Sequence, residues 1–563
     1  MKERYIRLME MALSAYSDEM ISDYIERVRE MGNTEHGFPR LTANIGILIA
    51  HGIRCDLKPR FAEMMELCCR SFIGEFRKAA NEFSVREIVL CLKEIEDAEA
   101  FDRETVKGWR KLLSGIKPEE CYNVVVGGED DDATNFAIFG AASELARYSL
   151  GLGGDLDFVD RQLSCQFKWL DENMMYCDNK AEYCHQPMLY ELLSRGLLAL
   201  LLHLGYNGKY REAIDDCLRK SAPLTLNMQS VSGEIPYGGR SAQFIHNEGW
   251  LLALLEYEAN RCMAENDLAL AAKYKRAARL ALDNIEYWLS RAPIRHVKNR
   301  FPTESGYGCE SYAYFDKYMI TAASNLFAAY LISNDSVPLG EEDDGLETLA
   351  FALSPRFHKV FLKCGEYFAE LDTNADPKHD ASGLGRVHKK GAPPAICISS
   401  PCPAAPKFKV DIASPTPLAI CPCVKSERGW MLGSSPEADH SLASLSADGG
   451  VAAATISSTL ENGASALTRH TVSEGGVIVE ATSDGEVGIA LPVFCFDGES
   501  RPRLYSNGRS LHVYYGGWVC KYKTNGKFTR TSLIGTSRCG HYRAYIAEGG
   551  ASVRVEIRIE REA

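Results

Sequence analysis

The segment Ser232–Trp250, SGEIPYGGRSAQFIHNEGW, holds the densest group of reactive side chains in the sequence. Two adjacent glycines, at 238 and 239, permit a backbone turn that a β-carbon would forbid. Around them the loop presents a phenol, a guanidinium, an imidazole, two amides and a carboxylate. The candidate catalytic and binding residues of this loop are Tyr237, Arg240, Gln243, His246, Asn247 and Glu248. The competing interpretation is structural, with Arg240 and Glu248 forming an ion pair and His246 capping the next helix.

Four other polar segments supply further candidates. ESGYGCESYAY contributes Glu304, Tyr307, Glu310, Tyr312 and Tyr314, whose tyrosines either stack on a sugar or pack the wall of the fold. His185-Gln186, with Tyr190 and Arg195, is expected at the same rim, although capping a helix start is the simpler role. His36 lies in the polar loop NTEHGFPR. Arg386 and His388 begin the second half of the chain, and they are either substrate contacts or a solvated basic loop.

The spacing of apolar residues changes along the chain, which indicates that different secondary structures position these candidates. Up to about residue 334 the apolar residues recur at helical spacing, and strongly apolar helices alternate with amphipathic ones. The polar loops return roughly every 45–70 residues, which is the length of a helix hairpin with its loops. About six such hairpins would close into an α/α toroid, with the polar loops together at one mouth.

After about residue 350 short β-rich runs are separated by Gly-Gly and Asp-Gly turns, as in ASVRVEIRIERE and its neighbours. The predicted fold class is therefore a multidomain chain, α then β, with an (α/α) toroid followed by a C-terminal antiparallel β-sandwich. The predicted domains are a toroid catalytic domain over 1–334, a linker and the start of the β region over 335–410, and the β-sandwich over 411–563.

Composition restricts the partners. The formal net charge of −13 argues against a nucleic-acid partner, because such proteins need a basic surface. The most apolar stretch, at 196–206, is too short to span a membrane, and the first residues lack the apolar core of a signal peptide. The 19 cysteines show no disulfide or zinc spacing. We expect a cytoplasmic protein without metal or cofactor, and a homo-oligomer is a possible assembly.

The order of a helical toroid and a large antiparallel β domain resembles the polysaccharide lyases of the heparinase II/III and chondroitin AC type. This resemblance implies a carbohydrate-active enzyme that cleaves beside a uronic acid by β-elimination. Such lyases carry an Asn-His pair at a helix entry and a distant tyrosine, whereas this chain has the order His246-Asn247.

Elimination needs a group that neutralises the C5 carboxylate, a base for the C5 proton and an acid for the leaving oxygen. Arg240 with Gln243 or Asn247 is predicted to hold the carboxylate, since arginine binds carboxylates through two N–H groups. His246 or Tyr237 is predicted to serve as base and acid.

Two other functions remain open at this stage. A glycoside hydrolase on the same fold would pair Glu248 with Glu310, Glu304 or Asp131 across the cleft. A non-catalytic sugar-binding protein would need aromatic side chains but no catalytic group. For the lyase, a cytoplasmic location predicts exo-action on imported oligosaccharides rather than on polymers.

Overall fold

The computed structural model describes residues 1–75, 81–179, 185–340, 347–427 and 429–562. Parts of two predicted segments, 180–184 in the loop before His185 and 341–346 in the linker, lie outside the described residues. The helices of the N-terminal half, α1 to α14, are Lys2–Leu13, Asp18–Met31, Gly37–Ala50, Lys58–Phe72, Val85–Asp97, Arg103–Ser114, Pro118–Cys121, Asn135–Ser149, Leu156–Leu163, Met188–His203, Arg211–Met228, Asn247–Ala264, Leu268–Leu289 and Phe315–Ile332.

Six of these helices form a closed inner ring. In order α3, α5, α8, α10, α12 and α14, each packs against the next, and α14 packs against α3. Almost every residue of α3 and α12 is buried, because these helices are enclosed on all sides. Each inner helix also packs against an outer one that buries only one face, the outer set being α4, α6, α9, α11, α13 and α1. The predicted toroid of paired helices is confirmed.

Helix capping differs between the two layers. Three outer helices, α6, α9 and α13, and the additional helix α2 begin at a side-chain cap; for example, Asp102 accepts a hydrogen bond from Thr105 N and Asp267 accepts one from Leu270 N. For the described residues, none of the six inner helices has such a cap at its N-terminal residue. The partial positive charge of six helix N-termini therefore faces the mouth of the ring without a capping side chain at those positions.

The C-terminal half is built from antiparallel strands. The strands β1 to β17 are Thr348–Ala352, Lys359–Cys364, Tyr367–Asp372, Gly383–Lys389, Cys421–Ser426, Gly429–Leu432, Asp439–Asp448, Val451–Thr459, Ser465–Ser473, Gly476–Ser483, Val487–Phe496, Arg503–Ser506, Ser510–Tyr515, Trp518–Thr524, Lys527–Ser537, Gly540–Glu548 and Ser552–Arg561. They form sheets of four, eight and five strands, in the orders β1-β2-β3-β4, β12-β13-β14-β17-β10-β9-β8-β7 and β15-β16-β11-β5-β6.

One hydrophobic core joins the three sheets. Leu362 of the four-stranded sheet, Val479 of the eight-stranded sheet and Val493 of the five-stranded sheet all belong to it. Strand β9 alternates buried and exposed residues, as expected where one face packs and the other meets solvent. The predicted antiparallel β region is confirmed, and its first strand begins within the predicted segment 335–410.

A chain of buried ion pairs fastens the β half to the ring. Lys298 lies 3.7 Å from Glu234, which lies 3.3 Å from Arg386. Arg386 lies 3.1 Å from Glu370, which lies 3.3 Å from Lys359. Removing one partner from a buried pair costs about 3–5 kcal/mol, because an uncompensated charge is left behind. This network therefore holds the loop before Arg240 against the β domain. None of the described helices combines the length and apolar character needed to cross a membrane.

Candidate active site at the mouth of the ring

The first turns of neighbouring inner helices are bonded to one another at the mouth. Arg40 of α3 donates to Glu87 of α5 at 3.2 Å and to Thr321 of α14 at 2.9 Å. Ser324 of α14 also donates to the Glu87 carboxylate, at 2.5 Å. Loops that are distant in sequence therefore meet around one opening, as the toroid predicts.

Arg240 is the cation at the centre of this opening. Its side chain is 41% exposed, although it forms an ion pair with the buried Asp178. Its guanidinium lies 4.2 Å from the ring centre of Tyr190, and Asn135 donates to the other oxygen of Asp178. Arg240 Nε is buried and has no hydrogen-bond partner among the described residues. Arg240 is thus held from behind by Asp178, while the exposed part of its side chain can reach a ligand.

Two tyrosine hydroxyls beside Arg240 lie within hydrogen-bonding distance of the same serine hydroxyl. The hydroxyl of Ser241 lies 3.3 Å from the Tyr190 hydroxyl and 3.1 Å from the Tyr312 hydroxyl, and Tyr312 is 38% exposed. Burial raises the pKa of Tyr190, whereas the neighbouring Arg240 acts to lower it. Burial has the larger effect, so the protonated phenol of Tyr190 is favoured, and the guanidinium only reduces the cost of its ionisation.

The backbone that carries these groups is strained. Ser241 and Gln243 have φ values of 58° and 62°, which side chains with a β-carbon rarely adopt. Ser241 is held there by its N–H bond to Glu310, at 2.7 Å, and by the Asn247 amide, which donates to its carbonyl at 3.0 Å. Strain of this kind persists where the surroundings over-determine it, and it concentrates at functional sites.

The β half contributes Arg538 to the site. Arg538 lies in the turn between β15 and β16, and its guanidinium binds both oxygens of Glu310, one of them at 3.0 Å. His379 Nδ1 lies 3.4 Å from the same guanidinium. Burial opposes the charged form of Glu310, yet the contact with Arg538 leaves its pKa below the ordinary value. Arg538 therefore keeps Glu310 ionised as an acceptor for Ser241.

Asp380 supports the same loop from the β side. Its carboxylate accepts a hydrogen bond from Gly239 N at 2.7 Å, one residue before Arg240. Burial raises the pKa of Asp380 to about 7, although the charge of Lys359 acts in the opposite direction. Asp380 and His185 also line a cavity of about 170 Å³.

A pair of histidines lies on the ring side of the opening. His36 and His246 flank Tyr318, with ring centres 6.0 and 5.3 Å away. His36 Nδ1 lies 2.7 Å from the Arg40 guanidinium, which can only donate, so this nitrogen is an acceptor. Burial lowers the pKa of both histidines well below the ordinary value. They are therefore neutral at physiological pH.

The structure does not bring two of the four predicted catalytic residues to this opening. Tyr237 is fully buried, its ring lies 3.3 Å from Lys359 Nζ, and its hydroxyl has no partner among the described residues. Glu248 is fully buried in an ion pair with Lys298. Both contact the ion-pair network between ring and β half, because Lys298 also binds Glu234 and Lys359, the first residue of β2, also binds Glu370.

Several predicted binding residues also lie within packed regions. Arg386 pairs with Glu234 and Glu370, and His388 lies between the hydroxyls of Ser230 and Ser399. The Tyr307 hydroxyl bonds to Thr536 and to the Ser537 carbonyl, and its ring stacks 3.6 Å from that of Phe301. Gln243 accepts a hydrogen bond from the Cys539 thiol, and Gln186 bonds to the backbone of Asn179. Glu304 and Glu310 both line a cavity of about 1250 Å³.

Tyr190, in the first turn of α10, was predicted for the rim but without a catalytic role. Three further residues of the site were not predicted, and one of them, Asn135, begins α8. Asp178 precedes the segment outside the described residues, and Arg538 lies in a β turn of the other half. Among the described residues, no group of three or more His, Cys, Asp or Glu side chains is arranged to hold a metal ion.

Comparison with known proteins identifies similar structures only. No family model matches the chain, and no curated protein does. A mutant of the heparan sulfate lyase HepC from Pedobacter heparinus aligns with a TM-score of 0.46 and 10% identity, over 94% of this chain and 77% of that chain. A mutant chondroitin AC lyase from Streptomyces coelicolor A3 aligns with a TM-score of 0.45 and 12% identity, over 98% and 82%.

A chondroitin lyase of the baculovirus envelope, ODV-E66, aligns with a TM-score of 0.44 and 9% identity, over 92% of this chain and 76% of that chain. Lyases of the kinds that the sequence resembles are therefore among the solved structures found. At this degree of similarity, the chemistry has to come from the residues of this chain.

Proposed function

We propose that the chain is a lyase that cleaves uronic-acid-containing oligosaccharides by β-elimination. The observation that carries this proposal is the partly exposed guanidinium of Arg240, stacked on Tyr190 at the mouth of the ring. An arginine that keeps free donors binds a carboxylate through two N–H groups. The phenol beside it is then close to the carbon that bears that carboxylate.

The reaction removes a proton from C5 of the uronate and releases the oxygen on C4. Arg240 neutralises the C5 carboxylate, which makes the adjacent proton more acidic. Tyr190 takes this proton in its ionised form, which burial disfavours and which the charge of Arg240 partly restores. The C4–O bond breaks as the C4=C5 double bond forms, and Tyr312 donates its proton to the leaving oxygen. Ser241, bonded to both phenols, passes the proton from Tyr190 back to Tyr312.

The electrostatics of the mouth favour an anionic substrate. The formal net charge of the whole chain is −13, but the N-termini of the six inner helices lie on the side of this opening, together with the partly exposed Arg240. Helix N-termini and arginines both stabilise a negative charge held between them. A uronate carboxylate is the charge that this arrangement suits. Because a cytoplasmic enzyme meets only imported fragments, we propose exo-action on short oligosaccharides.

One observation favours a glycoside hydrolase as the second candidate. Asp380 has a pKa of about 7, the value that a general acid needs. However, the second carboxylate of a hydrolase is harder to find. Glu310 is bound by Arg538, Asp178 lies buried behind Arg240, and Glu248 pairs with Lys298. The elimination therefore agrees better with the charges around the opening.

The experiment that separates the two reactions uses water enriched in oxygen-18. The protein is incubated with unsulfated and sulfated uronate oligosaccharides, and the products are weighed by mass spectrometry. Elimination incorporates no oxygen from water, so the product masses sum to the mass of the substrate. Hydrolysis adds one labelled water per cleavage. Labelled products would refute the lyase proposal, and a sugar that binds without any product would support a non-catalytic protein.

A further inference from the structure

A second cleft lies at the outer edge of the junction between ring and β half. Its volume is about 870 Å³, and its walls come from the end of α13, the loop 390–394 and the strands β12 to β14. None of its lining residues belongs to the group around Arg240. The reaction proposed above does not use it.

Aromatic rings in this cleft are paired with arginines. The rings are only partly buried, and each has a guanidinium over its face. The pairs are Arg291 over Tyr287 at 4.0 Å, Arg503 over Tyr514 at 4.1 Å and Arg561 over Trp518 at 5.2 Å. A guanidinium stacked on a ring keeps its N–H groups directed outward along its edge. The rings thus hold fixed donors of the kind that bind carboxylates or sulfates.

The charges of the cleft are not balanced internally. Its two acids, Asp283 and Glu562, are already paired with Arg4 and Arg503. Arg291 and Arg501 both line the cleft, and neither forms an ion pair with any described residue. This cleft therefore has a local excess of positive charge on a chain with a formal net charge of −13, and such a cleft attracts anions.

We infer that this cleft is a non-catalytic binding site for an acidic oligosaccharide. The apolar faces of sugar rings pack on exposed tyrosine and tryptophan, and the carboxylates or sulfates of the chain pair with Arg291 and Arg501. The combination of ring faces with fixed guanidinium donors distinguishes this ligand from a simple anion. The site goes beyond the proposed reaction, because it binds without turnover.

The test measures binding with the full chain by isothermal titration calorimetry. The background variant is Arg240→Gln, which weakens ligand binding at the mouth of the ring. The probe is hyaluronan hexasaccharide, which carries carboxylates but no sulfate. A sulfated chondroitin hexasaccharide identifies which anion is preferred. Adding Arg291→Gln and Arg501→Gln to the background is expected to weaken binding at least about tenfold, as loss of charged hydrogen bonds does. Trp518→Ala is expected to weaken it through lost stacking.

The matched control is Arg103→Gln with Lys111→Gln, which removes two charges from the exposed face of α6. It should change the affinity less than twofold, and thermal melting should show that every variant is folded. Equal affinity in the cleft variant and the background would overturn the inference, and so would equal loss in the control. Cellohexaose binding as tightly, or polyphosphate competing as well as hyaluronan, would also overturn it. A failed lyase assay leaves this binding measurement unaffected, so the two proposals fail separately.

Discussion

Arg538 of the β half grips Glu310 of the ring through both carboxylate oxygens, and Glu310 in turn holds Ser241 in its strained conformation. The active loop is therefore positioned by a domain that lies almost 300 residues further along the chain. The two halves pack through buried charges and also through an apolar cluster that joins Met188 of the ring to Phe361 of the β half. In the proposed reaction, the ring supplies the reactive groups and the β half fixes their geometry.

Removing the Arg538 side chain that binds Glu310 should therefore lower the catalytic rate indirectly. We expect Arg538→Ala to lower kcat/KM by about 10- to 100-fold, because Ser241 and Arg240 lose their fixed position. The variant should also lose about 3–5 kcal/mol of stability, because Glu310 is left as a buried unpaired charge. Steady-state kinetics and denaturant unfolding measure both effects. The control Arg530→Ala, exposed on strand β15 ahead of the turn that holds Arg538, should alter neither, and normal activity in Arg538→Ala would contradict this role.

The charge and the planar shape of Arg240 should both matter. Arg240→Lys keeps the charge but loses the stacking on Tyr190 and the forked donors, so we expect a higher KM and a kcat/KM lowered by about tenfold or more. Arg240→Gln should lose still more, since nothing then neutralises the uronate carboxylate. Initial rates over a range of substrate concentrations separate KM from kcat. A lysine variant as active as the wild type would show that Arg240 does not bind the carboxylate.

The pKa of Asp380 predicts how stability changes with pH. Its value in the folded chain is about 7, above the ordinary 3.8, so the folded state binds a proton that the unfolded state has lost between these values. Stability contributed by the protonated form is therefore present at low pH and lost as the pH rises through 7. The Asp380→Asn variant cannot ionise, so its stability should not fall in this way. Its free energy of unfolding relative to that of the wild type should therefore be higher at pH 8 than at pH 5, by on the order of a few kcal/mol.

Thermal melting of both proteins at pH 5 and pH 8 gives this comparison. The neutral amide can still accept the Gly239 N–H, so the loop should stay in place. The same variant informs the choice of reaction, since a hydrolase that used Asp380 as its general acid would lose nearly all activity. A stability difference that does not change with pH would show that Asp380 is ionised over this whole range.

The ring and the β half were predictable because their signals are periodic and repeated. Arg240 was also identified, since a glycine pair and a cluster of polar residues mark its loop. Tyr190 was predicted for the rim, but its place within the apolar helix MLYELLSRGLLALLLHL gave no signal for a catalytic role. Tyr237 and Glu248 looked equally reactive, but their buried partners Lys359 and Lys298 lie 122 and 50 residues away in sequence.

Those long-range pairings depend on how the ring closes and on how the β half docks on it. No local pattern of residue types distinguishes a glutamate in a cleft from one paired with a buried lysine. The Arg538–Glu310 contact, between residues 228 positions apart, had no signal in its own turn. The sequence thus predicts the segment that holds the site, whereas packing decides which of its side chains reach the opening.

The most direct test of the account follows the ultraviolet absorbance of a C4=C5 double bond conjugated with the uronate carboxylate. The wild type, Tyr190→Phe and the exposed control Tyr148→Phe are each mixed with the same uronate oligosaccharide. We predict a steady rise in absorbance for the wild type and the control, and a rate lowered by about 10²- to 10⁴-fold for Tyr190→Phe, as loss of an acid–base group causes. Cleavage without any rise in absorbance, or an unchanged rate in Tyr190→Phe, would contradict elimination at this site.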